Sequence, residues 1–219
     1  MMSYILLIVV TLAIGFGAQA YVNSQIKKYS LVPNSTRMTG YQVATGMLAY
    51  YDVSGVEVRM GGRGQNFFNP KDNSITLDPE SFNGTSITAT ATACHEVGHA
   101  CQYAQGYTAM KVRSALVPVV NFTSNTWIFI FLIGVVLNLA GLVNLAIIFY
   151  AFAVLFQVVT LPVEFDASKR ALAYMGSTGL PETERIGSWN VLRACALTYV
   201  AAALVSVLQL LYLIGAREE

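Results

Sequence analysis

Between Arg113 and Glu164 the chain carries no charged residue. The run is long enough for two helical crossings of a bilayer at about 20 residues each. Asn138, Gly141 and Asn144 fall in its middle, where a tight reversal is needed, so the spacing predicts spans over 117–138 and 142–162. Within the first of them, Asn121, Ser124 and Asn125 would be costly against lipid and are expected to face the bundle or a wet groove. Two further apolar runs, 1–21 and 194–215, bring the expected crossings to four. The first reads as a signal anchor and not a cleaved signal peptide. It lacks a basic stretch before the apolar run, although Ala18-Gln19-Ala20 resembles a cleavage ending. A composition of 55% hydrophobic and 11% charged residues agrees with an integral membrane protein. The net charge of +1 and the lack of a basic run interleaved with aromatics exclude a nucleic-acid partner.

Two segments have ordinary polarity. In the first, the pattern predicts a helix over 41–51 after Thr39-Gly40 and strands over 56–60 and 74–77, with Gly61, Gly62 and Gly64 as a turn. Asn83-Gly84 marks another turn, and Ser86 is the expected N-cap of a following helix. The second segment is expected to be helical through Ala173 and broken over 176–181. Glu182 and Glu184 then open another helix. The chain thus divides into a first span (1–22), a small α+β region (23–113), spans two and three (114–163), a polar helix and loop (164–190), and a last span with its tail (191–219). Lys27, Lys28, Lys111, Arg113, Lys169, Arg170, Arg185 and Arg193 gather on one side, against Arg217 on the other. The positive-inside rule puts both polar segments in the cytoplasm.

The stretch 91–102, ATACHEVGHACQ, holds the only two histidines. On a helix His95 and His99 share a face and can converge on one metal ion, while Glu96 lies about 100° round, placed to take a proton from a water. A third ligand must come from elsewhere. Two crossings return the chain to the same side at Glu164, whose carboxylate would complete a His₂Glu set with one position left open. Asp166 is an alternative ligand, or a partner orienting a histidine. Cys94, Cys101 and Cys195 form no CxxC pair, and Cys94 and Cys101 read as packing residues.

These motifs, with Leu161 to Ser168 and Leu197-Thr198-Tyr199-Val200-Ala201-Ala202, resemble the YugP-like membrane-bound neutral zinc metallopeptidases of bacteria over nearly the whole chain. The resemblance implies a peptidase holding one zinc ion per chain through His95, His99 and Glu164, with Glu96 as general base. The fold it implies is mainly α: an integral membrane helical protein with about four transmembrane helices and a small zincin-like cytoplasmic α+β catalytic region. The implied location is the bacterial cell membrane, among lipid, with peptides or membrane proteins as substrates.

The chain departs from that family pattern at two places. Asn66-Phe67-Phe68-Asn69-Pro70 stands where such sequences tend to have Asp-His-Tyr-Asp-Pro, and Ser168 stands where the wider glutamate-ligand group often has an acid. Tyr103, Tyr107, Arg170 and Tyr174 are the candidate donors to the oxyanion of peptide hydrolysis. The strands over 56–60 and 74–77 are expected to offer an edge to an extended peptide. Glu164, just past Pro162, puts the site near the membrane surface and favours membrane-proximal or hydrophobic substrates. The competing reading is a non-catalytic zinc-binding membrane protein, a metal carrier or scaffold. It finds no ionisable residue inside the charge-free run to support transport.

Overall fold

The computed structural model describes residues 2–216, with side-chain surroundings for 4–216; Arg217 lies outside the described residues. In chain order the elements are α1 (Met2–Ser30), α2 (Gly40–Tyr50), β1 (Glu57–Met60), β2 (Phe67–Asn69), β3 (Ser74–Leu77), α3 (Pro79–Asn83), α4 (Ile87–Ala104), α5 (Thr108–Val136), α6 (Ala140–Ser177) and α7 (Glu182–Gly215). The protein is mainly helical. Four of its helices, α1, α5, α6 and α7, are long and apolar enough to cross a membrane.

Side-chain pairs fix how these four run. At one end of α1 the ring of Tyr4 lies 5.4 Å from that of Tyr212, and at the other Asn190 donates to the Tyr29 hydroxyl at 2.8 Å. α1 and α7 are therefore antiparallel. α5 and α6 are antiparallel too, since Trp127 meets Tyr150 at 4.8 Å while Arg113 lies over Phe156. Between α6 and α7, Tyr150 donates to Gln209 at 3.1 Å. Both polar segments consequently emerge at one end of the bundle.

The reversal between α5 and α6 is closed by Asn138 in the left-handed region (φ 52°), with Leu139 N–H returning to Gly134 O at 2.8 Å. A Cβ on Gly134 would stand 2.9 Å from Val143 N, so the closed end of the hairpin depends on glycine there. Asn121, Ser124 and Asn125 are exposed, so of the two settings expected for them the bundle interior is ruled out. Asn125 instead donates back to the Asn121 carbonyl at 2.7 Å and is satisfied within its own helix.

α6 does not end near Pro162. It runs unbroken from Ala140 to Ser177, 38 residues in all, because proline removes one intrahelical bond but the following turns are held by packing against α4 and α7. The expected boundary between 163 and 164 thus falls inside one helix.

The polar end carries a three-stranded sheet, order β1-β3-β2, with β1 parallel and β2 antiparallel to β3. β3 is the central strand and is buried along its length, so the expectation of a free edge at 74–77 is corrected; the edges are β1 and β2. Local chemistry sets the neighbouring helices. Thr39 and Gln42 form a capping box on α2, Asp78 caps α3 ahead of Pro79, and Ser86 caps α4. α4 is central to this end, packing against α1, α2, α6, α7 and the sheet, with Ala91, Ala93, Cys94, Val97 and Cys101 in the core.

Candidate metal centre

α4 crosses α6 at Gly98, where only a hydrogen separates the helix from the backbone of Ala167. This close approach brings the HEVGH face against the second half of α6. His95 Nε2 stands 3.1 Å and His99 Nε2 3.6 Å from the same oxygen, Glu164 Oε2. One ligand atom from each of the three residues lies within 4.8 Å of the others. The imidazoles meet edge to face, their centroids 4.7 Å apart.

The opposite nitrogen of each ring is held by the protein. His95 Nδ1 lies 3.2 Å from Ser168 Oγ, and His99 Nδ1 lies 3.0 Å from Gln102 Oε1. The orientation of the Gln102 amide follows from its partners: Gln102 Nε2 donates to Val163 O at 2.7 Å and to Asp166 Oδ2 at 2.9 Å, both of them acceptors. Its Oε1 therefore accepts from His99 Nδ1–H, which leaves Nε2 of the neutral ring as a lone pair directed at Glu164. Asp166 is held in turn by Arg170 Nε at 2.6 Å. Asp166 thus stands two links behind His99, not among the three converging atoms. Gln102 is fully buried and uses every hydrogen-bonding group of its side chain in this chain of contacts.

Glu164 is 2% exposed, Glu96 and His99 each 7%. Burial disfavours a charged His99, but the hydrogen bond to Glu164 and the negative charges of Glu96 and Glu164 outweigh it and raise its pKa. A cation between the rings meets the same field. Two imidazole nitrogens and a buried carboxylate, with the far ring nitrogens oriented by the protein, form a donor set suited to zinc. Burial pushes the Cys94 thiol up and raises that of Cys101 to about 11, so both stay protonated near neutrality and act as packing residues.

The four expected oxyanion donors have these surroundings. Tyr174 is buried against Tyr50, about 15 Å along α6 from Glu164 at about 1.5 Å per residue. Arg170 is engaged by Asp166 and Gln105, Tyr103 packs its half-exposed ring on Phe68, and Tyr107 sits at the start of α5. α7 instead brings Tyr199 within electrostatic reach of both Glu96 and Glu164. Sequence reasoning had assigned no role to Tyr199, Gln102 or Gly98. Gln102 was within reach of it, since it lies three residues after His99 on the same helix face.

The chain is similar to known proteins over almost its whole length. The family model described as "Putative neutral zinc metallopeptidase" matches residues 4–218. A protein of Bacillus subtilis (strain 168), named "Putative membrane protease YugP", is 42% identical over 214 residues, covering 96% of this chain and 94% of that protein. No solved structure matches. With the family model matching almost from end to end and a relative of that identity over nearly its full length, the chain belongs to the neutral zinc metallopeptidase family.

Proposed function

We propose that this protein is a membrane-embedded zinc metallopeptidase in which His95, His99 and Glu164 hold one zinc ion and Glu96 is the general base. The observation that carries the reading is the convergence of those three ligand atoms within 4.8 Å, beside the buried Glu96. A zinc ion there supplies Lewis acidity toward the scissile carbonyl and toward water. Glu96 accepts the proton of the attacking water and delivers it to the leaving amine. Tyr199 on α7, near enough for Glu96 and Glu164 to act on it electrostatically, is the proposed hydrogen-bond donor to the oxyanion. Ser168 and Gln102 hold the rings so that both Nε2 atoms stay turned inward.

The substrates proposed are membrane-proximal or hydrophobic peptides. From Ala140 to Glu164, α6 rises about 36 Å at about 1.5 Å per residue, somewhat more than the roughly 30 Å of a hydrocarbon core. This supports a site at the membrane surface. The distribution of basic residues supports a cytoplasmic face for it, in a catalytic region formed by 23–113 with the second half of α6. The edge strand packed beside α4 is β2, which makes it the candidate for holding an extended substrate by backbone hydrogen bonds.

The deciding experiment measures metal content and peptide cleavage of detergent-purified wild type, Glu96→Gln and Glu164→Gln. The proposal expects Glu96→Gln to keep stoichiometric zinc and lose cleavage, and Glu164→Gln to lose zinc affinity. If wild type and Glu96→Gln bind zinc alike and neither cleaves soluble or membrane-tethered peptides, the protein is a carrier or scaffold instead.

A further inference from the structure

Beside the metal centre, the helices α6 and α7 leave an apolar groove of about 400 Å³ between them. Phe165 and Leu172 form its α6 wall, and Trp189 and Leu197 its α7 wall. Phe165 and Trp189 are each 48% exposed, so the groove opens outward from the bundle and not into it. α6 and α7 are long and apolar enough to cross a membrane, and the groove lies just beyond Glu164 on α6, so it opens at the headgroup level of the membrane surface. Lys169 and Arg193 also line the groove, one from each helix. Both are exposed, and among the described residues neither forms a salt bridge.

We infer that this groove binds an anionic phospholipid, with the phosphate between Lys169 and Arg193 and an acyl chain running from there past Phe165 and Leu197 toward the membrane. Three features select this occupant. The lining is apolar and its charged groups are exclusively cationic, which matches an amphiphile with a negative head. The groove lies at the polar end of two membrane helices with a tryptophan at its mouth, the level at which headgroups and aromatic side chains meet. Its inner wall includes Ser168, whose hydroxyl meets His95 at Nδ1, while the Nε2 atoms that face Glu164 lie on the other side of the ring. An occupant therefore sits behind His95, away from the converging ligand atoms, where a peptide undergoing cleavage has no reason to be.

Trp127 and Trp189 are the two tryptophans of the chain, so a Trp127→Phe variant reports from the groove alone. The full-length variant is reconstituted into phosphatidylcholine bilayers containing increasing fractions of either brominated phosphatidylglycerol or brominated phosphatidylcholine, and quenching of Trp189 is followed. Each basic residue near an anionic surface contributes a factor of about five, reduced by salt, so brominated phosphatidylglycerol should quench with roughly ten-fold higher relative affinity. Lys169→Gln with Arg193→Gln should bring that ratio to about one. Equal quenching by the two lipids in the parent variant overturns the inference without recourse to any groove substitution. So does a preference that persists in the double variant, or quenching by neither lipid, which would mean that a protein segment covers the groove. None of these readouts depends on zinc or on cleavage.

Discussion

A Cβ placed on Gly98 would stand 2.5 Å from the carbonyl oxygen of Ala167 and 2.9 Å from its Cα. Both obstacles are backbone, which cannot swing aside as a side chain does. Gly98→Ala must push α4 off α6 and carry His95 and His99 away from Glu164. The expected cost is about 3 kcal/mol, at the upper end for overpacking, together with loss of zinc affinity. Thermal unfolding in detergent and metal content check this; an unchanged melting temperature with full zinc would contradict the close crossing.

The contacts behind the histidines predict graded effects on metal binding. Gln102→Ala removes the acceptor for His99 Nδ1–H and strands the Val163 carbonyl, and Ser168→Ala removes the partner of His95 Nδ1. Each should weaken zinc binding about ten- to hundred-fold in competition with a chelator. The nearly isosteric Gln102→Glu should be no better than alanine, because it turns an acceptor toward Val163 O and Asp166.

Tyr199→Phe separates transition-state stabilisation from metal binding. If its hydroxyl meets the oxyanion, kcat should fall by about a hundred-fold while zinc content and KM stay close to wild type. A fall in zinc content equal to the fall in rate would reduce Tyr199 to a packing residue.

Asp78 gives a pH signature away from the metal. Its burial raises the pKa, but hydrogen bonds from Ser81, Asn66 and Gly64 outweigh this and hold it below the ordinary aspartate value. A depressed folded-state pKa stabilises above the unfolded-state value, and that stability is lost as pH falls through the folded-state value. Asp78→Ala should therefore lose about 1 kcal/mol of stability above about pH 5, as for other N-caps. The gap from wild type should close on acidification below about pH 4. Melting temperatures of both proteins across that range provide the test, and a gap independent of pH would contradict it.

The elements legible in the sequence were those with local causes. Thr39, Ser86 and Asn138 mark helix ends through contacts within a few residues, and the charge-free run sets two crossings by its length alone. β2 was not legible, since Phe67–Asn69 is three residues long and exists only by pairing with β3. Pro162 suggested an end to α6, a local signal overridden by packing from two other helices. The histidines and Glu164 were readable as a spacing and a topology. The Gln102–Asp166 contact joins residues on two helices and needed the crossing at Gly98 to be seen. The same crossing explains Ser168, which meets His95 directly at the position where an acid is often found.

The hairpin of α5 and α6 lies in the chain between the histidines and Glu164, with 69 residues separating His95 from its carboxylate partner. During synthesis His95 and His99 leave the ribosome well before Glu164, and Glu164 reaches them only after the hairpin has folded back. Until that hairpin has formed, the two imidazoles lack their third partner. On the reading proposed above, assembly of the α5–α6 hairpin is thereby a maturation step for the metal centre.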